Sequence, residues 1–371
     1  MLKPFKLEEY LTAHEFSTQY LLCASDAESI SMQTLLAGAT EEHRQLWDTL
    51  TLNYTEPYGH PLLRQTIVET LYPTLKAEHV LCFAGAEEGI FCALHTLLGP
   101  EDHAIIVTPC YQSLLEIPQM TGASITQVVL QEAMQWQLDL EVVKASLRPN
   151  TKCLVINFPH NPTGQVLSSA KLHELITLCR SHDIWLFSDE VYRLLGTPKE
   201  PWTPPIACLY EKGISLGVLS KAFGLAGLRI GWITCQNKEV LTLFKKVKDY
   251  LSICNSAPAE LLALMALSQK EQLLARNNAI VSHNIALLDA FFQRHRETFH
   301  WVRPQGGCVG FVRYHGTVST DVLAQRLVEE ESILILPSSV YDYGHSHFRI
   351  GFGRKNLPET LQKFEAFLAK L

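Results

Sequence analysis

The 371-residue chain is predicted to be an α/β protein. Its large domain has a mostly parallel central sheet flanked by helices, and a smaller α+β domain packs on it. Three observations carry this reading. Short, near-continuously apolar runs recur through the middle of the chain. An amphipathic stretch separates two of them. The last third changes to helices and strands of mixed order. The runs at 103–108 (HAIIVT), 151–157 (TKCLVIN), 184–188 (IWLFS) and 214–219 (ISLGVL) are short and partly β-branched, as strands covered on both faces are. Between the second and third, Leu172, Leu175, Ile176 and Cys179 repeat at i, i+3, i+4 and i+7, one face of a helix over 168–183. Strand, helix, strand in that order argues a parallel sheet.

Further along, Val240, Phe244, Val247 and Leu251 share a helical face over 239–251, and 274–296 reads as one long helix. A strand is expected at 310–315, a helix at 321–331 and another strand at 348–352. A closing helix at 359–371 turns Leu361, Phe364, Leu368 and Leu371 inward.

Composition narrows the function classes. Apolar residues at 47% and charged residues at 19% exclude disorder, and length alone suggests about two to three domains. Thirty-one basic against 38 acidic residues give −7 with no basic block, which disfavours nucleic acid and anionic membranes as partners. The 10 cysteines never stand at C-x-x-C spacing and mostly sit in apolar runs, so reduced, buried thiols in a cytosolic protein are expected. The opening MLKPFKLEEYL shows no signal peptide, and no apolar run reaches the ~18 residues of a membrane span. His345-x-His347 and the scattered histidines form no metal-ligand pattern, so no metal is expected.

Three segments carry candidate chemistry. The first is Ser220-Lys221-Ala222-Phe223-Gly224, which follows a buried strand; Arg229 and Gly231-Trp232 come shortly after. Lys221 has no charged neighbour within seven residues on either side. Desolvation lowers a lysine pKa from ~10.4 and makes the amine a nucleophile towards aldehydes. A lysine snorkelling from a strand end is the alternative. The second segment is Asn157-Phe158-Pro159-His160-Asn161-Pro162-Thr163-Gly164, whose turn formers also suit an ordinary loop. The third is Ser188-Asp189-Glu190-Val191-Tyr192, where buried acids need partners. All three follow strands. Ligands of parallel sheets collect at the strands' carboxyl ends, so Asn161, Asp189, Tyr192 and Lys221 are expected to converge on one crevice.

Taken together, these motifs resemble the fold-type-I pyridoxal-phosphate-dependent aminotransferase family (class I/II), from about residue 53 to 349. The wording LCASDAES, NFPHNPTG and SLGVLSKAFGLAGLRIGW is similar to its capreomycidine-synthase-like branch. The resemblance implies a division into an N-terminal segment (1–45) joining the small domain, a large cofactor-binding domain (46–255) and a small C-terminal domain (256–371).

It also implies roles. Lys221 would form the internal aldimine with pyridoxal 5'-phosphate and then act as acid and base. Asp189 would pair with the pyridine nitrogen and keep it protonated. Asn161 and Tyr192 would hydrogen-bond the ring's phenolic oxygen, and Tyr111, in Thr108-Pro109-Cys110-Tyr111, would stack on the ring. Gly85, Ala86 and Glu87, opening a helical pattern at Ile90, would cradle the phosphate by backbone N–H groups, with the acidic side chain of Glu87 turned away. Ser220 and Arg229 would add a hydroxyl and a charged fork. Val218 departs from the hydroxyl that relatives often carry three residues before the lysine. Tyr54, five residues before Gly59, would reach the partner subunit's phosphate, which implies a homodimer with shared active sites. Arg349, in His347-Phe348-Arg349-Ile350-Gly351, would bind the substrate carboxylate beside Asn161.

The expected activity is transfer of an amino acid's α-amino group to a 2-oxo acid. A pyridoxal-phosphate lyase, decarboxylase or capreomycidine-synthase-like cyclase starts from the same residues. A non-catalytic cofactor-binding or regulatory protein is a third reading. Asp26 and Glu28 could meet a cationic substrate side chain; solvated loop acids are the preferred reading.

Overall fold

The computed structural model describes residues 3–370; Met1, Leu2 and Leu371, the last expected on the closing helix's inner face, lie outside them. The central sheet has seven strands: β1 (Val80–Phe83), β2 (His103–Thr108), β3 (Ser124–Val129), β4 (Thr151–Asn157), β5 (Trp185–Asp189), β6 (Gly213–Val218) and β7 (Gly231–Cys235). Their order is β1-β7-β6-β5-β4-β2-β3, with β7 antiparallel to both neighbours and the remaining pairs parallel. The expected runs became β2, β4, β5 and β6, with ends shifted by no more than one residue.

The apolar runs are continuous because the sheet is covered on both faces. Along β4, Cys153 and Val155 face one core cluster while Leu154 and Ile156 face the other. Helix Ser169–Ser181 covers the second face with the four residues read from the periodicity, and Ser168 caps it by accepting from Lys171 N at 3.3 Å. Helix Ala86–Leu97 packs on the other face against β1, β6 and β7. Such a sheet, with helices on both sides, is the mostly parallel layer that the sequence predicts.

The second sheet is antiparallel, in the order β10-β11-β9-β8, from β8 (Phe299–Trp301), β9 (Val309–Tyr314), β10 (Leu336–Pro337) and β11 (His347–Gly351). Helices Lys270–Arg294, Thr320–Glu331 and Leu357–Leu368 stand beside it. The segment expected to be the small domain opens with helix Ala257–Ser268, which packs on helix Pro61–Leu71 of the large-sheet side. Residues Glu260 to Leu267 of that helix are all buried, so it needs cover all round.

The N-terminal segment joins the two layers. Leu334 N donates to Tyr20 O (2.9 Å), Gly351 N to Leu22 O (2.7 Å), and Ala27 N to Lys221 O (3.1 Å). The approach to β11 requires Gly351, because a Cβ there would lie 1.8 Å from Ala24 O. All 10 cysteines are free thiols, eight of them buried. Among the described residues no helix is long and apolar enough to cross a membrane.

Candidate active site

The parallel strands deliver their carboxyl ends to one edge of the sheet. Asn157 ends β4 and is paired in register with Asp189, which ends β5. Val218 ends β6 two residues before Ser220, and Thr108 ends β2 three residues before Tyr111. Asn161, Asp189, Tyr192, Ser220, Lys221, Arg229, Arg349, Tyr111, Ala86 and Glu87 all line a single cavity of about 440 Å³. The predicted convergence is therefore present.

The Lys221 amine donates to Ser25 Oγ at 2.9 Å and lies 5.9 Å from the centre of the Tyr192 ring. Burial lowers its pKa below the ordinary lysine value, while Asp26 and Asp189 oppose the shift. Asp189 is 4% exposed, and burial pushes its carboxyl up to about 7 despite the Val191 N–H it accepts at 3.1 Å. Asn157 buttresses this corner. Its Nδ2 donates to Asp189 O (2.9 Å) and its Oδ1 accepts from Asn161 N (2.8 Å).

Arg349 is 2% exposed on β11 and reaches the same cavity. Its Nη1 donates to Tyr341 OH (2.7 Å) and Asn161 Oδ1 (3.1 Å), and its Nη2 to Cys23 O (2.8 Å). Tyr341 OH also donates to Asn161 Oδ1 at 3.1 Å. Asn161 thus spends its carbonyl on neighbours and leaves its amide donors free for a ligand.

Two acids of the wall are engaged by neighbours. Glu87 lines the cavity, and its Oε1 accepts from Ser113 Oγ, which opens the following helix. Burial raises its pKa, against the Ser113 hydrogen bond that lowers it. Asp26, read as a solvated loop acid, is only 15% exposed and pairs with Arg354 Nη2 at 2.8 Å in the cavity wall. Glu28 accepts from Lys355 N at 3.1 Å and is not part of the wall.

The remaining residues fall as follows. Gly85 precedes helix Ala86–Leu97 with φ +94°, and a Cβ there would meet Arg229 Nη2 at 2.3 Å. The glycine lets the guanidinium approach the helix start. Tyr111 donates to Glu8 Oε1 at 3.1 Å and its ring lies 5.2 Å from Phe5. Tyr54 is 90% exposed and takes no part in its own chain's cavity. Ser25, Tyr341 and Arg354 were missed by sequence reading, because single serines, tyrosines and arginines outside a motif carry no local signal. Among the described residues no group of three or more His, Cys, Asp or Glu side chains is arranged to hold a metal.

A lysine, a buried carboxylate, a helix start and a buried arginine around one pocket at the sheet's carboxyl edge define a cofactor-holding α/β enzyme site. The sequence profile described as aminotransferase class I and II matches residues 18–364. The chain belongs to that family and is a pyridoxal-phosphate-dependent enzyme of the aminotransferase type. It is 27% identical over 350 residues to capreomycidine synthase of Streptomyces vinaceus, covering 93% of this chain and 88% of that protein. It is also 27% identical over 361 residues to arginine–pyruvate transaminase AruH of Pseudomonas aeruginosa, covering 92% and 86%. The crystal structure of a PLP-dependent aminotransferase from Streptococcus suis superposes with a TM-score of 0.93 at 30% identity, covering 100% of this chain and 98% of that one.

The residues present fit pyridoxal phosphate. Tyr192 OH, Ser220 Oγ and Arg349 Nε are buried polar atoms without a protein partner, and their residues line the cavity. Such atoms are costly unless a ligand satisfies them. Asp189, raised by burial, needs a cationic neighbour to ionise at neutral pH, and a protonated ring nitrogen is one.

Proposed function

We propose that this enzyme moves the α-amino group of an amino acid to a 2-oxo acid, with Lys221 as the residue that carries the cofactor and moves the proton. The observation that supports this most is the meeting of Lys221, Asp189, Asn161, Tyr192 and Arg349 in one cavity. Pyridoxal phosphate supplies an aldehyde that joins an amine and a ring that draws electrons from the bond being broken. Asp189 would hold the ring nitrogen's proton, and Tyr192 OH with the Asn161 amide would donate to its phenolic oxygen. Tyr111 would cover the ring face. The N–H groups of Gly85, Ala86 and Glu87, with Ser220 and Arg229, would hold the phosphate. Tyr54 would come from the partner subunit of a homodimer.

Arg349 would bind the substrate carboxylate as a fork. Its Nε is free for this, and Tyr341 and Cys23 O fix the plane of the guanidinium. Lys221 Nζ would take the α-proton and return it one position away. Ser25 Oγ, accepting from that amine, orients it. Burial lowers the amine's pKa, which favours the neutral form that a base requires.

The relationship to capreomycidine synthase favours a second outcome, in which the same proton loss at Lys221 is followed by ring closure on the substrate. Visible and near-ultraviolet spectra during addition of single amino acids decide between them. Accumulation of the aminated cofactor, reversed by a 2-oxo acid, is the expected result. Product formation with no aminated cofactor at any stage rejects transamination.

A further inference from the structure

Resting on that reading, we propose that Glu8 and Glu15 receive a cationic end of the substrate, so that the enzyme selects amino acids whose side chain carries an amine or guanidinium. Helix Lys6–His14 and its C-terminal cap Glu15 form the outer wall of the cavity. Glu8, Leu11 and Glu15 stand at i, i+3 and i+7, one helical face, and all line it.

The charges of the wall are unevenly matched. Nearby cations are taken elsewhere: Lys3 pairs with Glu116 at 3.0 Å, Lys6 with Asp342, and Arg354 with Asp26 at 2.8 Å. Among the described residues Glu15 has neither an ion pair nor a side-chain hydrogen bond, and Glu8 has only the Tyr111 hydroxyl. Burial raises the Glu15 pKa, the Asp26 and Glu8 carboxylates add to this, and Arg354 and Lys221 oppose it from a distance without pairing with Glu15.

The inner part of the same cavity has the opposite character. Lys221, Arg229 and Arg349 line it, and the unpartnered Nε of Arg349 and hydroxyl of Tyr192 belong to residues 2% and 1% exposed. A substrate whose carboxylate meets Arg349 and whose α-amino group meets Lys221 has one end left. The unpaired charges left for that end are both negative. The acids that the sequence singled out, Asp26 and Glu28, are engaged by Arg354 and Lys355 N.

Calorimetry of the holoenzyme with the α-deamino analogues of arginine and citrulline tests this. Both keep the carboxylate and neither can react, so the result stands whether or not transamination occurs. The spectral titration above tests the latter separately. The guanidino acid is expected to bind at least about tenfold more tightly than its ureido isostere. Glu15→Gln should remove most of that preference, and Glu8→Gln with Glu15→Gln all of it, with ureido binding held within about twofold. Glu9→Gln, exposed on the same helix and outside the wall, should leave the preference intact. Equal affinities in the unaltered enzyme, binding of neither analogue, or a preference that survives the double substitution would each overturn the proposal.

Discussion

Lys221 and Ser25 are 196 residues apart in the chain, yet the lysine amine donates to the serine hydroxyl at 2.9 Å. The contact exists because Ala27 N bonds Lys221 O and lays the N-terminal segment along the lysine's own backbone. The first prediction concerns this pair. Lys221→Ala should lose the borohydride-reducible link to the cofactor and at least about three orders of magnitude in turnover. Ser25→Ala should keep the link and shift the pH midpoint of the visible band. A reducible link surviving in Lys221→Ala removes the assignment.

Arg349 should act on the carboxylate alone. Arg349→Lys keeps the charge and loses the fork, and should raise the apparent KM for amino acids by about 30-fold or more while simple amines change little. Tyr341→Phe removes a hydroxyl that accepts from Arg349, and should cost about 1 kcal/mol in the same measurement. Equal effects on amines and amino acids would show that Arg349 serves the fold instead.

Asp189 ties stability of the cofactor-free protein to pH. Burial raises its folded pKa to about 7, above the unfolded value, so the folded state keeps a proton that the unfolded state releases. Its contribution is fully present below about pH 4 and is lost as pH rises through 7, by an amount on the order of 2–4 kcal/mol. Urea midpoints at pH 5 and pH 8 should therefore differ less in Asp189→Asn than in the parent. The same variant should bind the cofactor more weakly. An unchanged pH slope would place the titration elsewhere.

Tyr54 stands 90% exposed, with Leu52 at 84% and Tyr250 at 92% also uncovered. Contacts with a second subunit would cover such a surface. Sedimentation at micromolar concentration should give a dimer. Mixing Tyr54→Phe with Lys221→Ala subunits should regenerate active sites, because each mixed dimer holds one site with both residues intact. A fully active monomer, or no recovery on mixing, would end the shared-site proposal.

Glu132 is a structural counterpart. Its carboxylate meets His300 Nδ1 at 2.8 Å, His347 Nε2 at 3.3 Å and Arg313 Nη1 at 3.4 Å, and against the opposing effect of burial the two histidines hold it down to about 2. A depressed carboxylate contributes stability that is present above its unfolded pKa and lost as pH falls towards 2. Glu132→Gln should lower the melting temperature at pH 7 and leave KM unchanged. A large KM change with no loss of stability would contradict this.

Much of the site was legible because its chemistry is local. Asn161, Asp189 and Lys221 each follow a strand whose apolar run announces itself, and parallel pairing brings those ends together. Other parts were not. Strand β7 hides in a glycine-rich motif, and β3 is largely uncovered, with polar Ser124, Thr126 and Gln127 breaking up its apolar residues. Tyr341 and Arg354 reach the site only through the small sheet and its neighbouring loops. Glu15 stands unpaired because other acids engage the nearby cations. Such matters depend on distant partners, which periodicity does not register.

The N-terminal stretch from Cys23 to Asp26 meets Arg349, Lys221 and Arg354 in turn. Four consecutive residues therefore tie Arg349, Lys221 and Arg354 to one short run of peptide. That run crosses β11 at Gly351 with no room for a side chain, so a methyl group added there should disturb all three contacts at once.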